Sequence, residues 1–251
     1  MNILVAVKQI PDLQQVRIRN RQPVLEDVPL TLGNIDKNAL EAAVNLKDRL
    51  DGNVIVLSVG TENVADTVKE ALAAGVDEAY LIADDKLDGL ESAGVAALLA
   101  ELVQKIDDVG LILFGEGSGD NYSGQAGSRT AKILGLPQAG YVSGLDIDDS
   151  TVRVTRTLED GEEIVELPMP AVITIAAGIN EPRIPSVTQI LKAGKKPMQV
   201  LTLGDMQCRL GVSQIKTISN LAPDNARRQI KVKSVAELVQ ALQAEGVIRG
   251  R

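Results

Sequence analysis

A chain of 251 residues with 45% hydrophobic and 24% charged residues can bury a substantial core, and its net charge of −8 argues against a nucleic-acid partner. It has no histidine and a single cysteine, Cys208, which excludes a Ser-His-Asp triad, histidine metal ligands and an internal disulfide. No stretch reaches the roughly 20 apolar residues of a membrane span, so no direct membrane insertion is expected, and the N-terminal segment reads as a strand of a cytoplasmic protein.

The continuous apolar run Ile3 to Val7 predicts a strand buried on both faces. Alternation around Val16-Arg17-Ile18-Arg19 suggests a small hairpin outside the main sheet. A helix starts near Asn34, with Asp36 as its expected N-cap and Ala39, Leu40, Ala43, Val44 and Leu46 as its apolar face. Asn53 to Val59 is a second strand, followed by a helix capped by Thr61, carrying Val64, Val68 and Leu72, and ending at Gly75. Ala79 to Ala83 is the third strand, Leu90 to Ile106 a long helix, and Gly110 to Phe114 the fourth strand. Next comes the glycine-rich stretch Gly115-Glu116-Gly117-Ser118-Gly119-Asp120-Asn121-Tyr122-Ser123-Gly124-Gln125-Ala126, which opens a helix from Ala126 to Leu134.

Strands alternating with helices imply right-handed βαβ units, and so an α/β fold with a mostly parallel sheet flanked by helices. After Ala139 the rhythm changes. Tyr141 to Ile147, Val152 to Leu158 and Glu163 to Leu167 read as an antiparallel extension, with turns at Asp148-Asp149 and Asp160-Gly161. Val172 to Ala176 is a further apolar strand. Two prolines make Asn180 to Ser186 extended, and a short helix runs from Val187 to Lys192. From Gly194 the chain loses its rhythm. An irregular connection from Met206 to Arg228 and an amphipathic helix opening at Val232 suit an arm wrapped on another chain. The expected division is a nucleotide-binding domain over residues 1–205 and a C-terminal arm over residues 206–251.

Strand, glycine-rich loop and helix N-terminus together aim backbone N–H groups at one point, an arrangement that suits a phosphate. The loop is neither a Walker A nor a dinucleotide fingerprint: it ends in Gly124-Gln125-Ala126, and Asp120 stands where a third glycine belongs. Lys8, Val59, Gly60 and Gly115 all follow strand ends, so four strands converge on one crevice. Glu116 and Asp120 would repel phosphate unless they are engaged elsewhere. Asp84-Asp85 and Asp107-Asp108 read as solvated loop charges, Lys192 to Lys196 as a solvated helix end, and Cys208 has no activating neighbour beyond Arg209.

Four segments resemble the β subunit of electron-transfer flavoproteins: Val7-Lys8-Gln9-Ile10-Pro11-Asp12, Asp36 to Ala43, the glycine-rich loop, and Asn180-Glu181-Pro182-Arg183 through Lys196. The resemblance runs from Met1 to about Asp205, and Pro182-Arg183-Ile184-Pro185-Ser186 looks most like the Fix-type branch. It implies an adenine-nucleotide α-hydrolase-like, Rossmann-like fold and a heterodimer with an α subunit that carries FAD. It implies that Ala6, Val7, Lys8, Gly33, Asn34, Ile35, Asp36, Val59 and Gly115 to Ala126 hold AMP or, in electron-bifurcating members, a second FAD that exchanges hydride with NADH. It also implies a docking site for an acyl-CoA-type or other flavin dehydrogenase at Ile184, Pro185, Ser186, Val187, Thr188, Gln189, Ile190 and Leu191, with Val187 in the anchor position. Such a subunit carries electrons and needs no catalytic side chain of its own. A stand-alone adenine-nucleotide-binding protein of the universal-stress type shares the βα architecture but has no use for residues 180–196.

Overall fold

Ile3, Val5 and Val7 of β1 (Asn2–Val7) enter one apolar cluster while Leu4 and Ala6 enter another, so the first strand is buried on both faces, as its unbroken apolar run requires. The computed structural model describes residues 1–148, 150–210, 215, 217–224 and 230–248. β2 (Gln9–Pro11) pairs antiparallel with β5 (Leu30–Leu32), and β3 (Arg17–Arg19) with β4 (Gln22–Val24) forms the small hairpin outside the main sheet. The chain continues through α1 (Asn34–Leu50), β6 (Asn53–Gly60), α2 (Val64–Ala73), β7 (Glu78–Ala83), α3 (Ser92–Val103), β8 (Val109–Gly115) and α4 (Ala126–Leu134). It then runs through β9 (Gln138–Asp148), β10 (Thr151–Leu158), β11 (Gly161–Pro168), β12 (Ala171–Ile175), α5 (Val187–Ala193), β13 (Met198–Leu201) and α6 (Val235–Ala244).

Nine strands form one sheet in the order β11-β10-β9-β12-β8-β1-β6-β7-β13. Every pair from β9–β12 across to β7–β13 is parallel, whereas β9–β10 and β10–β11 are antiparallel. The α/β architecture with an antiparallel extension is therefore the one expected. α1 and α2 cover one face through Leu40, Val44, Val68 and Leu72; α3 and α4 cover the other through Leu98, Leu102 and Ala131. β1 lies between β6 and β8, so the chain winds away from it in both directions and a crevice opens at its carboxyl end.

The structure corrects four local expectations. Gly33, not Asp36, is the N-cap of α1; Asp36 lies in the first turn and is 6% exposed. Asn63 rather than Thr61 precedes α2. α3 is shorter than the apolar run around it, because Leu90 and Ile106 pack from the flanking turns. β13 was not expected at all: it is a four-residue edge strand whose Val200 is exposed, and it is held by backbone pairing to β7, which leaves no apolar periodicity to read. Gly75, at φ +119°, follows α2 as expected.

Lys196 is not a solvated helix end. Its ammonium donates to the carbonyls of Leu72 (2.8 Å) and Val76 at the C-terminus of α2, where a cation meets the negative end of the helix dipole. Burial holds its pKa below the usual lysine value. Lys196→Met is expected to lower stability by about 1–2 kcal/mol, read as a reduced urea midpoint at unchanged slope.

By internal contacts the chain divides into one unit of Met1–Arg17 with Leu25–Ile218 and a second of Ile18–Val24 with Ser219–Arg251. Within the second, the Arg21 guanidinium donates to the Ala222 carbonyl (2.8 Å) and the Ala222 N–H to the Arg21 carbonyl (2.7 Å). The expected turn at Asp148-Asp149 and the irregular connection from Met206 to Arg228 lie partly outside the described residues. Among the described residues no helix is long and apolar enough to cross a membrane.

Candidate functional site

A cleft of about 580 Å³ opens at the carboxyl ends of β1, β6 and β8, where ligands of open α/β sheets bind. Ala6, Val7 and Lys8 line it from β1, Val59 from β6, and Asp36 from the first turn of α1. The glycine-rich loop contributes Gly115, Glu116, Gly117, Ser118, Asp120, Asn121, Ser123 and Gly124, and Gln125 and Ala126 lead into α4. Five of the expected residues stand back from the wall. Gly33 caps α1, Asn34 is exposed, and Ile35 packs beside Gly115; Gly119 lies over Leu13 and Ile10, and Tyr122 over Gly117.

The N-terminus of α4 has no side-chain cap, and Gln125, Ala126 and Gly127 line the cleft beside it. The first N–H groups of a helix have no intrahelical partner, so an anion placed here would meet donors and the positive end of the helix dipole. The Gln125 side chain is not the cap, since its Oε1 accepts from Arg129 (2.6 and 2.9 Å). Gly127 lets the helix start close to the sheet: a Cβ there would lie 2.7 Å from Thr174 Cγ2 and 3.3 Å from Phe114.

The two acidic residues of the loop are both engaged. Glu116 accepts from the Tyr122 hydroxyl (2.9 Å), and Asp120 pairs with the Lys8 ammonium across the cleft. Burial pushes the Asp120 carboxyl upward, but hydrogen bonds from Lys8 and Ser118 outweigh it and hold its pKa below the usual value. Burial and the bond to Glu116 push the Tyr122 phenol above its usual pKa. The repulsion that two free carboxylates would exert on a phosphate is thereby reduced.

Asp36 is the buried ionisable group of the site. Its carboxylate accepts the Lys8 N–H (2.8 Å) and the Gly115 N–H, which ties the ends of β1 and β8 to the first turn of α1. Burial nevertheless dominates and pushes its pKa up to about 7, with the two backbone bonds and the Lys8 charge pulling the other way.

Several wall residues were missed: Thr61 after β6, Asp88 to Ser92 leading into α3, Phe114 on β8 and Thr174 on β12. The rule that ligands sit beyond strand ends covers Thr61 and Asp88 to Ser92, since those segments follow β6 and β7. Nothing in the sequence singles out Phe114 or Thr174, which reach the cleft only through strand order. Cys208 is partly buried beside Glu101, and burial together with that carboxylate pushes its thiol upward, away from reactivity.

The expected docking segment is held out from the first unit. Ser186 caps α5 in a capping box with Gln189, whose Oε1 accepts the Ser186 N–H (2.8 Å). Ile184 is 94% exposed, Val187 74% and Leu191 72%, with Thr188, Gln189 and Ile190 also exposed and Pro185 half-buried. Four aliphatic side chains on one short segment make an apolar patch of the kind that marks an interaction surface.

The electron transfer flavoprotein domain model matches residues 24–206 of the chain. The chain is 35% identical over 251 aligned positions to the electron transfer flavoprotein subunit beta of Thermoanaerobacterium thermosaccharolyticum, covering 96% of each protein. It is 35% identical over 231 positions to the caffeyl-CoA reductase-Etf complex subunit CarD of Acetobacterium woodii, covering 89% of this chain and 88% of that one. It is 32% identical over 250 positions to the electron transfer flavoprotein subunit beta of Bradyrhizobium diazoefficiens, covering 98% of each.

Proposed function

Since the chain belongs to the electron transfer flavoprotein β-subunit family, we propose that its cleft holds an adenine nucleotide and that it works in a heterodimer with an α subunit carrying FAD. The subunits of this family are electron carriers rather than catalysts in their own right. The observation that carries the reading is the uncapped N-terminus of α4 opening on the cleft, with Glu116 and Asp120 engaged by Tyr122 and Lys8. The nucleotide phosphate is assigned to the Gly115–Ala126 loop and the N–H groups of α4. Asp36 orders the cleft floor through its bonds to the Lys8 and Gly115 N–H groups. A second FAD would supply electron exchange with NADH, whereas AMP would supply none.

We favour the second FAD and place the protein in the Fix-type branch. The Val7 to Asp12 and Pro182 to Ser186 segments support this. Denaturing the purified heterodimer and counting released nucleotides tests it: two FAD and no AMP per dimer are expected, and one of each refutes the bifurcating reading. Residues 206–251 are assigned to contact with the α subunit, where α6 would bring Val235 and Leu238, both exposed.

The Ile184–Leu191 segment is assigned to docking of an acyl-CoA-type or other flavin dehydrogenase. Val187→Asp is expected to lower electron transfer from an acyl-CoA dehydrogenase at least tenfold at subsaturating concentration, with flavin content unchanged. Equal transfer would remove Val187 from the anchor role.

A further inference from the structure

Helix α1 carries four polar side chains at Asn38, Glu41, Asn45 and Asp48, a spacing of three, four and three residues that puts them on one face. All four contact the segment Asn180–Arg183. The Asn38 amide donates to the Asn180 carbonyl (2.8 Å) and its side-chain oxygen (3.1 Å), and the Asn180 amide returns a bond to the Asn38 carbonyl (3.0 Å). Glu41 takes the Arg183 guanidinium in a two-pronged pair (2.8 and 3.1 Å) and also accepts the Arg183 backbone N–H (3.0 Å). Asn45 and Asp48 complete the set at 3.1 and 3.4 Å from the same guanidinium.

Asn38 is 7% exposed and Glu41 8%. Burying an amide and a carboxylate is unfavourable unless partners are exact in placement, and here the partners come from a single distant segment. Immediately beyond it lie Ile184 and Val187, whose exposed aliphatic surface would gain by folding back against the protein. The segment is instead fixed at both ends: Asn180 and Arg183 are held on α1, while Ala193 is buried and Lys196 is bonded to the end of α2. Pro182 and Pro185 remove further freedom between the two anchors.

We infer that the stripe Asn38, Glu41, Asn45 and Asp48 is a positioning rail that holds Ile184–Leu191 in its docking conformation before a partner arrives. The inference rests on the docking role proposed above, and its mechanism is preorganisation: a segment ordered in advance loses less freedom on binding. Asn38 and Glu41 do not line the cleft; they act through the segment they hold.

The test uses the chain co-expressed with its α partner. In Asn38→Ala/Glu41→Ala, amide hydrogen exchange over residues 184–191 is expected to rise at least tenfold, with residues 115–127 unchanged. Asn38→Ala/Glu41→Gln keeps an acceptor for Arg183 and is expected to restore part of that protection. With an acyl-CoA dehydrogenase as the probe, the double alanine variant is expected to raise the apparent KM several-fold at unchanged limiting rate. Val187→Asp is expected to raise KM without loosening the segment. Unchanged exchange over 184–191 in the double alanine variant overturns the rail. Faster exchange with an unaltered KM in both that variant and Val187→Asp overturns the docking role of the segment it holds.

Discussion

Gly115→Ala is expected to strip the adenine nucleotide from the heterodimer, with at least a tenfold fall in nucleotide retained after gel filtration and a loss of about 1–3 kcal/mol in stability. A Cβ at this position would stand 2.5 Å from Asp36 Oδ1, 3.1 Å from Ile35 and 3.2 Å from the Asp36 backbone nitrogen. Asp36 cannot yield, since it is 6% exposed and its carboxylate holds the Lys8 and Gly115 N–H groups. Either the first turn of α1 or the start of the glycine-rich loop must move, and both line the proposed nucleotide site. Gly161→Ala is the control: it is the first residue of β11, has nothing within 4 Å of the new Cβ, and is expected to leave nucleotide content unaltered. Full retention in Gly115→Ala would remove the loop from the phosphate role.

Asp36→Asn is expected to change the shape of the stability–pH profile. The folded-state pKa of about 7 lies above the ordinary aspartate value of 3.8, so the folded protein holds the Asp36 proton more tightly than the unfolded chain. Its contribution is fully present below about pH 4 and is lost as pH rises through about 7, a span worth roughly 4 kcal/mol at 1.36 kcal/mol per pKa unit. Asparagine cannot ionise, so the variant should lack this slope. It offers only one acceptor to the two backbone N–H groups, which costs about 1–3 kcal/mol at pH 5. The two profiles should therefore converge or cross between pH 6 and 8 when followed by urea unfolding. Parallel profiles across that range would show that Asp36 is not the titrating group.

The limits of sequence reading are visible in this same residue. Asp36 at the start of a helix looks like a cap, because asparagine and aspartate at helix starts usually satisfy the first N–H groups locally. Here its oxygens turn to strand ends 28 and 79 residues away, which no local pattern signals. Lys196 teaches the same lesson: it reads as a solvated helix end, yet it is bonded to backbone carbonyls 120 and 124 residues away.

What the sequence determined by itself was the part of the protein written in short-range periodicity. Unbroken apolar runs made the parallel strands, helical spacing made the covering helices, and glycines placed the loop between β8 and α4. Those signals act within a few residues, and the crevice follows from them because parallel strands deliver their carboxyl ends to one edge. Only the tertiary structure decided the rest. It added β13, whose edge pairing needs no apolar pattern, and it made β9 a hinge that pairs parallel with β12 and antiparallel with β10. It brought Phe114 and Thr174 into the cleft wall through strand order, and it engaged Glu116 and Asp120. Each of these depends on contacts between residues far apart in the chain, where hydrogen bonding and burial act through space and leave no periodic trace in the sequence.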